Sequence, residues 1–202
     1  MMSFTHLAVG AGTALAVMHP NDPKGCCLAV IGGFLGGVIP DADILQHDYK
    51  KDALKGQIIA FLTTACLFLA DRIIGFNIFT DFPPANIIWL NIGLILFAVL
   101  YVICLPQPHR GFSHSLLAMA LFSVSIAFIY RPLLPFFLLG FASHIVIDLL
   151  NKRGVKVFFP ANLGICLRLC TANGLANSIL QIVGFVVAIV FLINGLFLHY
   201  IV

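Results

Sequence analysis

Uncharged apolar runs of membrane-crossing length dominate this chain. Residues 86–105 and 178–200 contain no Asp, Glu, Lys or Arg, and about 20 such residues suffice to cross the hydrocarbon of a bilayer. Further apolar windows lie at 57–75, 115–131 and 133–150. Inside lipid the backbone must satisfy its own hydrogen bonds, so each window is expected to be helical. The windows are apolar throughout rather than alternating, which argues against a β-barrel. Charged residues make up 9% of the chain, against roughly 25% in soluble globular domains. That excludes a soluble enzyme, a disordered chain and a secreted disulfide scaffold. The expected fold class is all-α: a polytopic transmembrane helical bundle of about five to seven segments, in a single integral-membrane domain over residues 1–202.

Two N-terminal windows, 4–18 and 25–40, are uncharged but short and rich in Gly and Ala. They are expected to be short, tilted or partly re-entrant helices packed inside the bundle. Gly32-Gly33 and Gly36-Gly37 allow the close helix approach on which association in lipid depends. No Lys or Arg precedes Asp22 and His6 interrupts the first window, so residues 1–20 do not read as a secretory signal and are kept in the fold. Pro20 and Pro23, Pro83-Pro84, Pro106 with Pro108, and Arg131-Pro132 separate the windows. Ser113 is the expected N-cap of the fifth. The six cysteines read as small buried apolar residues; Cys166 and Cys170, four apart, can share a helix face.

If every window crosses once, the N-terminus and the loops at 41–56, 106–114 and 151–177 fall on one side. That side carries Lys50, Lys51, Lys55, Arg110, Lys152, Arg153, Lys156 and Arg168, against Lys24, Arg72 and Arg131 opposite. The positive-inside rule then predicts a multi-pass inner-membrane protein with its N-terminus and this side in the cytoplasm. The small net charge of +3 gives no indication of nucleic acid as a partner.

The same side collects His6, Asp41, Asp43, His109, His114, His144 and Asp148, none of which entered the topology count. A carboxylate within a span costs roughly 2.5–3.5 kcal/mol on insertion scales, and such groups mark function. His144 and Asp148 stand at i and i+4 and share a helix face, able to hold one ion. Asp41 and Asp43, two apart past a helix end, suit a bridging carboxylate pair. Imidazole with carboxylate favours a divalent transition metal, Zn or Mn above Mg or Ca, and the donor count suffices for one ion or two. Arg110 reads either as a clamp for phosphate or lipid headgroup or as a topogenic charge. His19, His47 and His199 read as interfacial or loop residues, His47 retaining some claim as a ligand because it follows Asp43 by four. Ser113 and Ser115 read as capping or packing residues.

Thr5-His6, Pro40-Asp41-Ala42-Asp43, His109-Arg110-Gly111-Phe112-Ser113-His114-Ser115 and Gly140-Phe141-Ala142-Ser143-His144-Ile145-Val146-Ile147-Asp148 together resemble the YdjM-like family, membrane-bound proteins described as predicted metal-dependent hydrolases. Gly154-Val155 and Phe159-Pro160 extend the likeness, which covers about residues 5–160 in order. The resemblance implies a metal site made by His6, Asp41, Asp43, His109, His114, His144 and Asp148. The chain departs from the family at Asn151-Lys152-Arg153 and at Phe158-Phe159-Pro160, beside the site, where substrate choice would be set.

The function expected from these readings is metal-dependent hydrolysis of a phosphoester or lipid-related substrate at the cytoplasmic interface. One of Asp41, Asp43 or Asp148 would serve as base instead of ligand, and Arg110, Lys152 and Arg153 would stabilise an anionic headgroup. The alternatives are a metal-ion transporter and a non-catalytic metal- or lipid-binding membrane protein. Sequence does not fix the oligomeric state.

Overall fold

Glycine sets how closely the helices of this bundle approach. A computed structural model describes residues 1–46, 50–75, 77–83 and 86–201. The helices are α1 (Ser3–Met18), α2 (Pro23–Val38), α3 (Lys50–Ile74), α4 (Ile87–Cys104), α5 (Leu116–Tyr130), α6 (Leu134–Leu149) and α7 (Leu175–Ile201). Short 3-10 turns follow α2 at Ile39–Gln46, precede α5 at Phe112–His114 and join α5 to α6 at Arg131–Leu133. A Cβ on Gly33 would sit 2.6 Å from Ala11 Cα, and one on Gly140 would sit 2.7 Å from the Gly33 carbonyl oxygen. Backbone therefore meets backbone where α1, α2 and α6 cross.

The two short helices occupy the middle of the bundle. Across α2 and its 3-10 extension, Pro23–Ile44, 78% of the most apolar stretch is buried, against 22% in each of α3 and α4 and 11% in α7. Pro23–Ile44 is long enough to cross a membrane, whereas α1 is a shorter apolar helix. At 16 residues α1 is roughly 24 Å long, less than the ~30 Å hydrocarbon core, and it packs between α2, α6 and α7. Large apolar side chains such as Ile73, Ile95, Val102 and Ile182 stand exposed on α3, α4 and α7, the arrangement expected where lipid is the solvent.

Several expected boundaries move. Helix α3 starts at Lys50 rather than 57, carrying Lys50, Lys51 and Lys55 on its first turns, and α7 starts at Leu175 rather than 178. The N-cap of α5 is Ser115, whose side chain accepts from the Ala118 N–H, not Ser113; the Phe112–His114 turn postpones the helix. Cys166 and Cys170 lie in a non-helical stretch, so they share no helix face. All six cysteines are free; Cys26 and Cys104 are buried, but Cys66 is exposed on α3, contrary to the expectation for it.

Polar contacts mark two opposite ends. At one, Thr5 Oγ1 donates to Asn177 Oδ1 at 2.8 Å and the Ser3 N–H to Asp52 at 2.8 Å, joining the starts of α1, α3 and α7. At the other, Asp71 near the end of α3 accepts from the Ile78 and Phe79 N–H groups, and Lys24 and Tyr130 both reach Asp81, at 2.5 and 2.8 Å. The segments therefore alternate in direction, as the count of loops requires.

Gly33→Ala should destabilise the protein by the ~1–3 kcal/mol of an overpacked core, read as a lower unfolding temperature in detergent. Gly164→Ala, whose Cβ would meet nothing nearer than 3.6 Å, is expected to leave that temperature within experimental scatter.

Candidate metal centre

The helix crossing brings ring nitrogens and carboxylates to one depth. Gly37, on the last turn of α2, lies so close to α1 that a Cβ there would be 2.6 Å from the His6 carbonyl oxygen. The Gly37 carbonyl accepts a hydrogen bond from His144 Nδ1 on α6 at 2.7 Å. A carbonyl can only accept, so Nδ1 carries the proton and Nε2 of the neutral ring presents its lone pair. That Nε2 faces His114 Nε2 at 3.1 Å. His114 Nδ1 lies 2.8 Å from Ser113 Oγ, which itself donates to Asp43 Oδ2 at 2.6 Å. The Nδ1 proton of His114 is thereby engaged, and two Nε2 atoms converge on one point.

Carboxylates complete the convergence. Asp41 Oδ1 is 3.5 Å from His114 Nε2 and 3.6 Å from His144 Nε2. Asp148 Oδ2 is 3.7 Å from His114 Nε2, and its Oδ1 is 3.5 Å from His6 Nε2. His6 stacks on His144 with ring centroids 3.7 Å apart, and both of its ring nitrogens are buried without a hydrogen-bond partner. An orphaned imidazole in a dry interior is costly unless something binds it. A tetrahedral site with metal–nitrogen distances of ~2.0 Å has ligand–ligand edges of roughly 3.3 Å. Separations of 3.1, 3.5 and 3.6 Å among His114, His144 and Asp41 therefore fit a divalent transition metal.

All seven residues expected as ligands are brought together, in two sets whose donor atoms lie within 4.8 Å of one another: Asp41, Asp43, His109 and His114, and His6, His144 and Asp148. Asp41 reaches into both, through His114 and His144. Asp43 is crowded with donors: His109 Nδ1 at 2.9 Å, the Arg110 N–H at 3.0 Å and Ser113 Oγ at 2.6 Å. Arg110 has φ +67°, a left-handed conformation that is uncommon outside glycine. Its backbone holds Asp43 while its guanidinium pairs with Asp148 Oδ2 at 3.0 Å and donates to the Arg153 carbonyl at 2.6 Å. Arg110 thus ties the two sets together.

Asp41, Asp43 and Asp148 are all buried, and the two fixed cations beside them, the Arg110 guanidinium and the Met1 nitrogen at 2.7 Å from Oδ1, both pair with Asp148. Negative charge is in excess. Burial disfavours the charged His114 ring, but the Asp43 charge and hydrogen bonds to Asp41 and Asp43 outweigh it, and its pKa is pushed up to about 10. A metal ion must displace that proton.

Sequence reasoning missed two supports. Ser113, read as a capping or packing residue, is the hydrogen-bonded link between Asp43 and His114. Asn151 donates to Asp148 Oδ1 at 3.2 Å; its place three residues after an intramembrane Asp was the available signal. His19 is an exposed helix-end residue against Phe191, as expected, while His47 and the side chain of His199 lie outside the described residues.

A cleft of about 380 Å³ opens onto this centre, lined by Asp41, His109, Arg110, Asp52, Lys152 and Arg153 among others. The YdjM inner membrane protein family model matches residues 1–202, the whole chain. The chain belongs to the YdjM inner membrane protein family. No curated protein and no solved structure matches it. For this YdjM-family chain the match agrees with the resemblance drawn from the His/Asp motifs, and with a membrane-embedded multi-pass protein that has, among the described residues, five helical stretches long and apolar enough to cross, α5 and α6 counting together as one.

Because Asp43 orients rings rather than facing the point of convergence, Asp43→Asn should weaken zinc binding by the ~10–100-fold typical of such supporting carboxylates, measured by titration with a competing chelator. Wild-type affinity should rise with pH through the neutral range and level off near the His114 pKa of about 10, since each ion bound there releases a proton below that pH. His144→Ala and Asp148→Ala should lower the metal content of purified protein; unchanged content in both would dismiss the centre.

Proposed function

We propose that this protein is a membrane-bound metal-dependent hydrolase that cleaves phosphoester bonds in a lipid-related substrate. The observation that carries this reading is a buried His/Asp centre that opens onto a cleft to which Arg110, Lys152 and Arg153 contribute three cationic side chains beside Asp52. Asp41 and His109, which belong to the centre, share the lining of this cleft with Lys152 and Arg153 from the segment after α6. The donor set suits Zn or Mn, as one ion or two, which His6, Asp41, His114, His144 and Asp148 would hold. Such an ion would supply Lewis acidity, lowering the pKa of water to about 7 and polarising the scissile group.

This chain's own residues would do the rest. Lys152 and Arg153 receive the negative oxygens of the substrate, stabilising charge where it develops. Arg110, already paired with Asp148, positions that carboxylate, so its role is to organise the centre as well as to face the anion. Asp43 fixes the orientations of His109 and His114, and His109, in the cleft wall, is placed to pass a proton to a leaving oxygen. We place this end of the bundle in the cytoplasm, because eight basic residues, Lys50, Lys51, Lys55, Arg110, Lys152, Arg153, Lys156 and Arg168, flank it against Lys24, Arg72 and Arg131 opposite.

Transport of the metal is the weaker reading. A permeation path needs polar groups through the depth of the bilayer, whereas below the centre the space between α2, α5 and α6 is filled by Phe122, Phe137, Phe141 and Ile31.

Purified protein reconstituted in lipid and loaded with Zn or Mn should release phosphate from lipid phosphomonoesters or cleave lipid phosphodiesters. Chelation should abolish turnover and metal should restore it, and Arg153→Ala should cost about 10²–10³-fold in rate if it aids the transition state as such donors do. A fully metallated protein that turns over no ester in such a panel would remove the hydrolase reading.

A further inference from the structure

We infer that the segment joining α6 to α7, residues 150–174, docks on the membrane surface, lying in the headgroup layer of an anionic leaflet. Four exposed apolar side chains need a partner: Phe158, Leu163, Leu167 and Leu169 are 54%, 58%, 57% and 72% exposed. They stand at the end of the bundle where the polar loops gather, not along a membrane-crossing helix. The same segment carries Lys152, Arg153 and Lys156 just before Phe158 and Arg168 between Leu167 and Leu169, and no Asp or Glu occurs anywhere after Asp148. Exposed apolar side chains on a segment whose charges are all positive match the boundary between acyl chains and anionic headgroups.

The backbone keeps the segment at that boundary. The Leu167 N–H donates to the Leu149 carbonyl at 2.7 Å, and the Leu169 and Cys170 N–H groups to Leu150 at 3.0 and 3.1 Å. Val155 and Ile165 exchange both of their hydrogen bonds at 2.9 Å, and the Leu116 N–H donates to Val157 at 3.0 Å. The segment is thus stitched across the ends of α5 and α6 instead of projecting into water. Val155 and Val157 face inward and are buried, which leaves the leucines on the outer side.

Charge selects the occupant. A second copy of this chain meeting the same face would set the four cations against their own images, since a two-fold interface presents one patch to itself. Anionic headgroups oppose them instead. Lys152 and Arg153 belong to both this surface and the cleft, so, resting on the hydrolase reading, the cleft takes its phosphoester from the leaflet and not from bulk water.

The docking itself is tested without turnover. Trp89 is the single tryptophan and lies toward the opposite end, against Phe128. In a Trp89→Phe, Leu169→Trp variant reconstituted in phosphatidylglycerol vesicles, emission should be blue-shifted. It should be quenched by lipid brominated near the headgroup end of the chain and little affected by acrylamide. Exchanging phosphatidylglycerol for phosphatidylcholine, or adding Lys156→Glu with Arg168→Glu, should shift emission to the red and reduce that quenching. Water-like emission quenched by acrylamide in both vesicle types would overturn the inference. So would shielding that vanishes as protein is diluted in lipid, which would make the occupant a second copy. Absence of ester hydrolysis would leave these optical outcomes unaffected and would count against the hydrolase reading alone.

Discussion

The contact between Gly37 and its two neighbours holds the site together. Its missing side chain lets α2 lie against the His6 backbone, and its carbonyl fixes which nitrogen of His144 carries the proton. One residue thereby sets both the distance between α1 and α2 and the chemical state of a ring on α6. In lipid there is little hydrophobic gain from bringing helices together, so association rests on close packing and interhelical hydrogen bonds. Here the same atoms supply both. That is why the short helix α1 lies inside the bundle while α3, α4 and α7 face outward.

Bringing His6, Asp41, His114, His144 and Asp148 to one point is costly. Each charged group is removed from water, and attraction between partners repays that cost only with good geometry and full hydrogen bonding. Asp43 meets the condition, with its oxygens taken by donors from three residues of the 109–113 stretch. Asp41 and His6 do not, and the facing Nε2 atoms of His114 and His144 cannot both satisfy their lone pairs without a proton or a cation between them. The remaining frustration is concentrated on the atoms that converge. A divalent cation at that point would engage both Nε2 lone pairs and the Asp41 carboxylate together, whereas a proton on His114 engages only one ring.

How much of this was readable from the chain follows from what each signal encodes. Apolar windows and proline punctuation are local, and they gave the helices, their alternation and the end at which the ionisable groups gather. The 3.6-residue repeat placed His144 and Asp148 on one face. The resemblance in the separated His/Asp motifs named the full set that the fold assembles. Cap positions were less legible: Ser113 and Ser115 are equally good caps by type, and only the 3-10 turn decides for Ser115. Hydropathy also placed the start of α3 too late, because lysines on a first helical turn look like loop. The division of labour between Asp41 and Asp43 was not readable at all. It depends on Arg110 adopting a left-handed backbone that turns its N–H toward Asp43, and no residue type at that position announces it.

The two ends of the molecule differ in a way that bears on function. At the end away from the centre, the ionisable groups settle their charges pairwise: Lys24 with Asp81, supported by Tyr130, and Asp71 with two backbone N–H groups of the loop it closes. These are self-contained solutions that hold a loop in place and ask for no ligand. At the centre, carboxylates outnumber the fixed cations, both ring nitrogens of His6 lack a hydrogen-bond partner, and the basic Lys152 and Arg153 line a cleft beside it. Stability alone would favour the first arrangement at both ends. Retaining the second, inside a short-helix core where close approach depends on glycine, is what the proposed function requires: carboxylates and imidazoles kept for a metal ion, and cations kept for an anionic substrate.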